Sequence, residues 1–489
     1  MRAVLFCGSA DLIPLYAFYA LIFADHGLST AQISGLLAIW SATAFLLEVP
    51  SGAWADTVSR RGLLLVGGVL LVAGFGTWTL FPSYLGFALG FVLWGTAGAL
   101  QSGTFEALVY DELAARGETA DYARIMGYTR AASEAAALLG ILAAAPLYAW
   151  GGYALVGWAS VAIAALHTAL ALTLPAAPRT VTTEAAQELA DADEPAPPHP
   201  HAGDSGSAPH HRMQSVAGTA GESTAGTVAE STAGPVAKST AGTVAKSAAG
   251  TVAESTAGTA GISDAGKLSA APGSVLGRYV FMLRAGLGEA VRIRPVRHAL
   301  FLGALLYGMT AFDEYFALLA DDAGVPPWAT ALLVGLTVTG ALLGSTLAGR
   351  TEAMRARTMA TALAVGGVLF IGGALLPGAA AHRPEAVYPL TIAGFTAIGI
   401  AYGIVYNAGV VAAARLQDAI EGPARATVTS VSGLLEEVFS LAVFGFVALA
   451  SSRLPIPPTV ALLGVPILVT ALLVPAWLPP RVSEPHDVR

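Results

Sequence analysis

The chain has 489 residues, of which 55% are hydrophobic and 12% charged, about half the charged share of an ordinary soluble domain. A sequence so poor in charge cannot cover itself with polar surface, which excludes a soluble globular protein and places the chain in lipid. The net charge of -8 matters less than where the charges fall, and no nucleic-acid partner is expected.

A hydrocarbon core of about 30 Å needs roughly 20 apolar residues as helix. Runs of that length, separated by Gly, Pro or charge, fall at 3–24, 31–54, 63–81, 84–108, 127–149 and 153–174, and again at 297–320, 328–349, 358–377, 387–413, 426–450 and 459–478. The first run is too long for the apolar region of a signal peptide and is interrupted by Asp11, so it reads as a retained first helix. Cys7 has no partner cysteine, which leaves no intramolecular disulfide and no cysteine-based metal site. The expected fold is therefore all-α: a membrane protein of twelve transmembrane helices.

Between the sixth and seventh runs, residues 175–275 turn to Ala, Gly, Ser, Thr, Pro and His, with an eight-residue repeat marked by Glu222, Glu230, Lys238, Lys246 and Glu254. Too few large apolar groups occur there to offset the entropy of ordering the chain, so a disordered cytoplasmic linker is expected. His199, His201, His210 and His211 sit in it without a scaffold to hold a metal. In residues 276–296, Leu276, Val280, Leu283 and Leu287 recur at helical spacing beside Arg278, Arg284, Arg292 and Arg294, as in a basic amphipathic helix on a membrane surface. The organisation is then a six-helix bundle over 1–174, the linker, the surface helix, a second bundle over 297–480 and a tail over 481–489.

Basic residues of short loops stay on the cytoplasmic side. One set of connections carries Arg60, Arg61, Arg116, Arg124, Arg350, Arg355, Arg357, Arg415 and Arg425, and the other only Arg383 and Arg453. Both termini are thus expected in the cytoplasm of a multi-pass cell-membrane protein. Adding 297 to a residue number carries Asp25 onto Asp322, Gly27 onto Gly324, Gly52 onto Gly349 and Arg60 onto Arg357; an offset of 301 carries Arg124 onto Arg425 and brings Glu134 within one residue of Glu436. The bundles read as a duplication. Because six is even, the repeats are parallel, and transporters of this build bind substrate near the midplane between them.

The segment "EVPSGAWADTVSRRG" joins the second span to the third, with Gly52, Asp56, Arg60 and Arg61 spaced as a glycine, an acid four residues on, then a basic pair. It resembles the signature loop of the major facilitator superfamily, although Thr57 and Ser59 stand where that family usually has a basic residue and a glycine. The Glu48-to-Gly52 stretch and "FEALVYDEL" are similar to segments of bacterial drug-efflux members. The resemblance, which covers everything except the linker, implies that this loop latches the outward-facing state. Gly52 suits close helix approach, and Asp56 can pair with an arginine across the interface of the halves.

Ionisable groups inside the hydrocarbon cost about 2.5–3.5 kcal/mol each, so each needs a partner, water or a purpose. Asp11, Arg130, Glu134, Asp313, Glu314, Glu436 and Glu437 are so placed. Arg130 and Glu134 share one helix face, which allows a local ion pair. Adjacent residues on an α-helix point about 100° apart, so at most one of Asp313 and Glu314 is expected to face a cavity squarely. Desolvation favours the neutral form of a carboxyl, which suits a group that takes up and releases protons, the role assigned to these acids.

Tyr16, Tyr19, Tyr307, Phe312, Tyr315, Phe316, Tyr402 and Tyr406 are candidates to line an aromatic cavity for amphiphilic or apolar solutes, with Asn407, which the 301 offset pairs with Glu106. Packing between helices is the alternative for each ring. The expected function is a monomeric secondary transporter moving a small organic molecule, with proton-coupled efflux as the first direction and nutrient uptake as the second. The family's antiporter turn appears only as "GILAAAPLYAWGG", with Ala145 before Pro146. A transport-dead sensor or scaffold has no need of so many intramembrane carboxyls. No HExxH, Gly-x-Ser-x-Gly or phosphate loop points to an enzyme, and no cofactor or metal is expected.

Overall fold

The computed structural model describes residues 1–175, 294–380, 384–420 and 425–479. The linker 175–275, beyond its first residue, the tail 481–489 and the surface helix 276–296, apart from its last three residues, lie outside these. The described residues are helical, with no strand among them. Ten helical stretches are long and apolar enough to cross a bilayer. One of these, within Tyr122–Ala171, has non-helical backbone at Gly151 and Gly152. The first span packs residues 8 and 13 on 132 and 140, but bonds residues 9 and 15 to 167 and 160. The chain therefore runs parallel to the first span before Gly151 and antiparallel after it, so this stretch is the fifth and sixth spans. A further span, Arg294–Asp322, is the seventh. The all-α, twelve-span architecture follows.

Serine caps start three helices: the Gln32 N–H donates to Ser29 Oγ at 3.3 Å, Gly62 to Ser59 at 3.3 Å and Gly86 to Ser83 at 3.2 Å, each cap worth about 1 kcal/mol. These open the second span (Thr30–Thr57), the third (Arg60–Leu80) and the fourth, which is Tyr84–Gln101 continued as Thr104–Arg116. The eighth span is Pro327–Thr351, the ninth Ala356–Ala380, the tenth Val387–Ala419 and the eleventh Arg425–Ala450. The twelfth is broken into Ile456–Leu462 and Val465–Trp477.

The first and seventh spans, expected as continuous helices, are interrupted at equivalent places. A 3₁₀ segment at Pro14–Ala17 leads into the helix Tyr19–Asp25, and a 3₁₀ segment at Met309–Tyr315 leads into Phe316–Asp322. The shift of 297 superposes the two short helices end to end. Both are followed by a glycine at positive φ, Gly27 at 83° and Gly324 at 79°, a conformation that costs glycine little. The repeats are parallel and conserve even their irregularities. Pro14 breaks the first span by lacking an N–H, and the Leu15 N–H finds Ser160 Oγ at 3.0 Å. In the seventh, the Thr310 hydroxyl takes the Tyr307 carbonyl at 2.6 Å, the side-chain competition that disfavours regular helix.

The halves meet along two pairs of spans, the second with the eleventh and the fifth with the eighth, while the short helices Tyr19–Asp25 and Phe316–Asp322 of the first and seventh touch each other. Within the second half, the eighth and tenth spans cross so closely that a Cβ on Gly344 would collide with the Gly403 carbonyl, as would one on Gly340 with Gly399. Small residues at such a crossing are what packing in lipid selects.

Candidate functional site

A small cavity lies on the pseudo-symmetry axis. Its walls include Tyr16, Ala17, Tyr19 and Ala20 from the first span and Asp313, Glu314, Phe316 and Ala317 from the seventh, which the 297 shift pairs one to one. Thr337, Val338 and Tyr402 close it from the eighth and tenth spans. Its volume of about 20 Å³ holds about one water molecule. Where the first half contributes Tyr16 and Ala17, the second contributes two carboxyls.

Both of those carboxyls line the cavity, whereas a regular helix would turn at most one to it. Both lie in the 3₁₀ segment Met309–Tyr315, where three residues per turn set adjacent side chains about 120° apart, so the winding alone does not bring them together. Asp313 is well supported: its carboxylate receives the Tyr402 hydroxyl at 2.6 Å and the backbone N–H groups of Asp313 and Glu314. Glu314, 5% exposed, makes neither a hydrogen bond nor an ion pair among the described contacts. Tyr402 in turn stacks edge-on against Tyr406, ring centroids 4.9 Å apart, and against Phe312 at 5.2 Å.

A second polar cluster sits nearer the end of the bundle that carries the N-terminus. Arg130 pairs with Glu134 at 2.8 Å, the ion pair expected from their spacing. Asp11, 7% exposed, lies beside both and within reach of the Ser133 hydroxyl. From the second half, Tyr307 and Tyr406 come within electrostatic reach of Arg130 and Glu134, and Glu436 approaches Tyr307. Tyr406 therefore stands between the two clusters. Two hydrogen bonds also tie the halves directly: Ser41 donates to Glu437 at 2.5 Å, and Ser34 and Tyr315 share a bond of 2.9 Å.

Other candidates are placed elsewhere. Phe312 and Tyr315 are fully buried, and Phe312 packs on Phe370 with centroids 4.6 Å apart, as a core residue. Tyr16 and Tyr19 line the cavity on one edge and join the first half's aromatic core on the other, Tyr16 stacking on Trp94 at 5.2 Å. Glu106 is buried near Cys7, away from the axis. Asn407 accepts the Thr351 hydroxyl at 3.0 Å and donates to the Gly344 carbonyl at 3.0 Å, facing a groove of the second half.

In the loop region, the surroundings of Gly52 and the side chain of Asp56 lie outside the described part of the structure. Arg60 pairs with Asp111 and donates to the Ala107 carbonyl at 3.0 Å, all within the first half, and Arg61 reaches the Leu174 carbonyl at 3.4 Å. In the second half, buried Arg415 donates to the carbonyls of Glu352, Met354 and Pro479 at 2.9, 2.6 and 3.2 Å. It ties the loop after the eighth span to the end of the twelfth.

Sequence reasoning missed four residues as sites. Asp111 partners Arg60, and Arg415 was read only as a topology marker. Glu48 accepts the Ser102 hydroxyl at 3.0 Å. His167, fully buried, bonds Ser9 at 3.0 Å and approaches Gln101 at 3.4 Å. A polar residue in a run as apolar as "VAIAALHTALA" is itself the signal that finds His167.

Two parallel six-helix repeats with ionisable side chains gathered at their interface define a membrane transporter of small molecules, not an enzyme. The chain belongs to the Major Facilitator Superfamily, whose family model matches residues 3–443. No curated protein sequence matches it significantly. Among solved structures it is similar to the nucleoside transporter NupG, at 12% identity over 98% of this chain and 98% of that one, with a TM-score of 0.57. It is also similar to the D323A mutant of NupG, at 11% identity over 97% and 96% of the chains, TM-score 0.56. The D-xylose-proton symporter is similar as well, at 15% identity over 98% and 96%, TM-score 0.55. At these identities the likeness is one of fold.

Proposed function

We propose that this protein is a proton-coupled carrier of small organic solutes that works by alternating access in the cell membrane, with both termini in the cytoplasm. The observation that carries the reading is the pair Asp313 and Glu314 on a broken span, lining a cavity between the repeats. Asp313 is anchored by Tyr402 and the backbone, whereas a bare Glu314 carboxylate in that wall has nothing to offset its desolvation. Glu314 thus binds the proton while the cavity is closed and releases it when water enters. Glu436 and Glu437 serve as further proton-accepting groups. Asp11, Arg130 and Glu134 form a charged network that rearranges with Tyr307 and Tyr406 as the halves rock. Tyr16, Tyr19 and Tyr402 offer rings and hydroxyls to an amphiphilic solute. Gly52, Asp56, Arg60 and Arg61 gate the cytoplasmic end.

Export is the direction supported by the likeness of the Glu48-to-Gly52 and "FEALVYDEL" segments to drug-efflux members. Uptake is a second reading, favoured by a solved relative of this fold being a proton symporter. The test is solute counterflow in proteoliposomes, followed by accumulation under an imposed pH gradient of either sign. Proton-driven movement that Glu314→Gln abolishes, with exchange retained, is expected. Full gradient-driven transport after charge removal at Asp313, Glu314, Glu436 and Glu437 together would sink the reading, and the sign of the productive gradient separates export from uptake.

A further inference from the structure

Apart from the axial cavity, the second half carries a long groove of about 480 Å³. Its walls are the eighth, ninth and tenth spans, and its lining is almost wholly apolar: leucines, glycines, Met354, Met359, Ala362 and Ile400, with Thr339, Thr351, Thr396 and Asn407 as polar members. Leu336, Leu343, Leu347 and Ile400 are 37–57% exposed, so the groove opens on the outside of the bundle, where lipid lies. It follows the eighth span from Leu336 to Thr351, about 22 Å at 1.5 Å per residue, against about 15 Å for one leaflet's hydrocarbon. The glycines at the eighth–tenth crossing make its floor, because two backbones in contact leave no side chains to fill it.

The polar end of the groove is distinctive. On the eighth span the lining positions 336, 340, 343 and 347 continue at helical spacing to Arg350, and on the ninth the positions Met359 and Ala362 lead back to Arg355. Both arginines are exposed and make no ion pair among the described residues. Thr351 and Asn407, bonded to each other, stand at the same level. Three arginines, Arg350, Arg355 and Arg357, face one acid, Glu352, in this short loop. An apolar trough one chain wide that ends in unpaired guanidinium groups matches a molecule with a hydrocarbon tail and an anionic head.

We infer that the groove between the eighth, ninth and tenth spans is a binding site for one anionic phospholipid, its acyl chain in the trough and its phosphate between Arg350 and Arg355. The lipid joins the peripheral ninth span to the eighth–tenth pair. Through the tenth span it touches the working interface: Ile400, Gly403 and Asn407 face the groove, while Tyr402 and Tyr406 face the carboxyl clusters. Anionic lipid therefore holds the tenth span in the register that keeps Tyr402 on Asp313.

The test is native mass spectrometry of the full chain released from nanodiscs made of equal parts phosphatidylglycerol and phosphatidylcholine. Wild type is expected to retain one phosphatidylglycerol in preference to phosphatidylcholine. Arg350→Gln with Arg355→Gln should reduce that preference by roughly fivefold per arginine removed. Ala362→Phe, which fills the trough, should abolish retention of either lipid; Arg124→Gln, at the same end of the bundle, should change nothing. Free glycerol phosphate at millimolar concentration should not displace the lipid. Equal retention of the two lipids by wild type, undiminished preference in the double arginine variant, or displacement by glycerol phosphate would overturn the site. The double arginine variant leaves the groove and the helices intact, so the test stands even where Ala362→Phe misfolds.

Discussion

Replacing Tyr402 by phenylalanine removes one hydroxyl and leaves the ring in its cluster with Phe312 and Tyr406. The hydroxyl of buried Tyr402 donates to partly buried Asp313 at 2.6 Å, and a hydrogen bond to a charged group is worth about 1.5–3 kcal/mol net. Asp313 keeps two backbone N–H donors, so the lower part of that range, about 1.5–2 kcal/mol, is expected for Tyr402→Phe alone. Asp313→Asn weakens the same bond from the other side, so the two changes together should cost less than the sum of the singles. A double-mutant cycle on denaturant unfolding in micelles measures the coupling, and more than about 1 kcal/mol is expected. In transport, both single variants should slow gradient-driven flux while sparing exchange. Effects additive to within about 0.5 kcal/mol would refute the reading that Tyr402 acts on Asp313, and so would equal losses of exchange and driven flux.

Three further outcomes follow from the geometry. Gly344→Leu should yield little folded protein, because its side chain enters the Gly403 carbonyl, while Gly349→Leu, which faces open space, should fold normally; fluorescence-detected size exclusion compares them. Arg415→Lys should lower the thermal midpoint almost as far as Arg415→Ala, since one ammonium cannot span the three carbonyls that the guanidinium fork reaches. Past the apolar run 297–320, at the exposed end of the helix Phe316–Asp322, partial burial first, then the neighbouring Asp25 and Asp322, hold the Asp321 carboxyl above its ordinary value. A carboxyl whose value is raised on folding destabilises the fold when ionised, so stability is gained as pH falls through the raised value. Asp321→Asn should flatten the gain in thermal midpoint on acidification, by a small amount because the group is largely solvent-facing.

The number of spans and their duplication were legible because lipid imposes a length and a hydropathy on every span, and because Asp25, Gly27 and their counterparts at Asp322 and Gly324 still occupy matching turns. The Arg130–Glu134 pair was legible for the same local reason: four residues on a helix share a face. The breaks in the first and seventh spans were not. Apolar composition is the same for a continuous helix and an interrupted one, and the break at Met309–Tyr315 depends on Thr310 turning back to its own backbone and on Gly308 lying against the eleventh span. Asp313 and Glu314, both bordering the axial cavity, lie within that break.

Sequence by itself thus determined that this is a duplicated, twelve-span membrane protein with acids where hydrocarbon should be, since solvation acts on each segment independently. Which acid is anchored and which is bare was decided only by tertiary structure. So was the choice of partner for Arg60, the clamp made by Arg415, and the groove whose mouth Arg350 and Arg355 line. Each of these depends on side chains from spans far apart in the chain, and spacing along one helix carries no information about what the neighbouring helix presents.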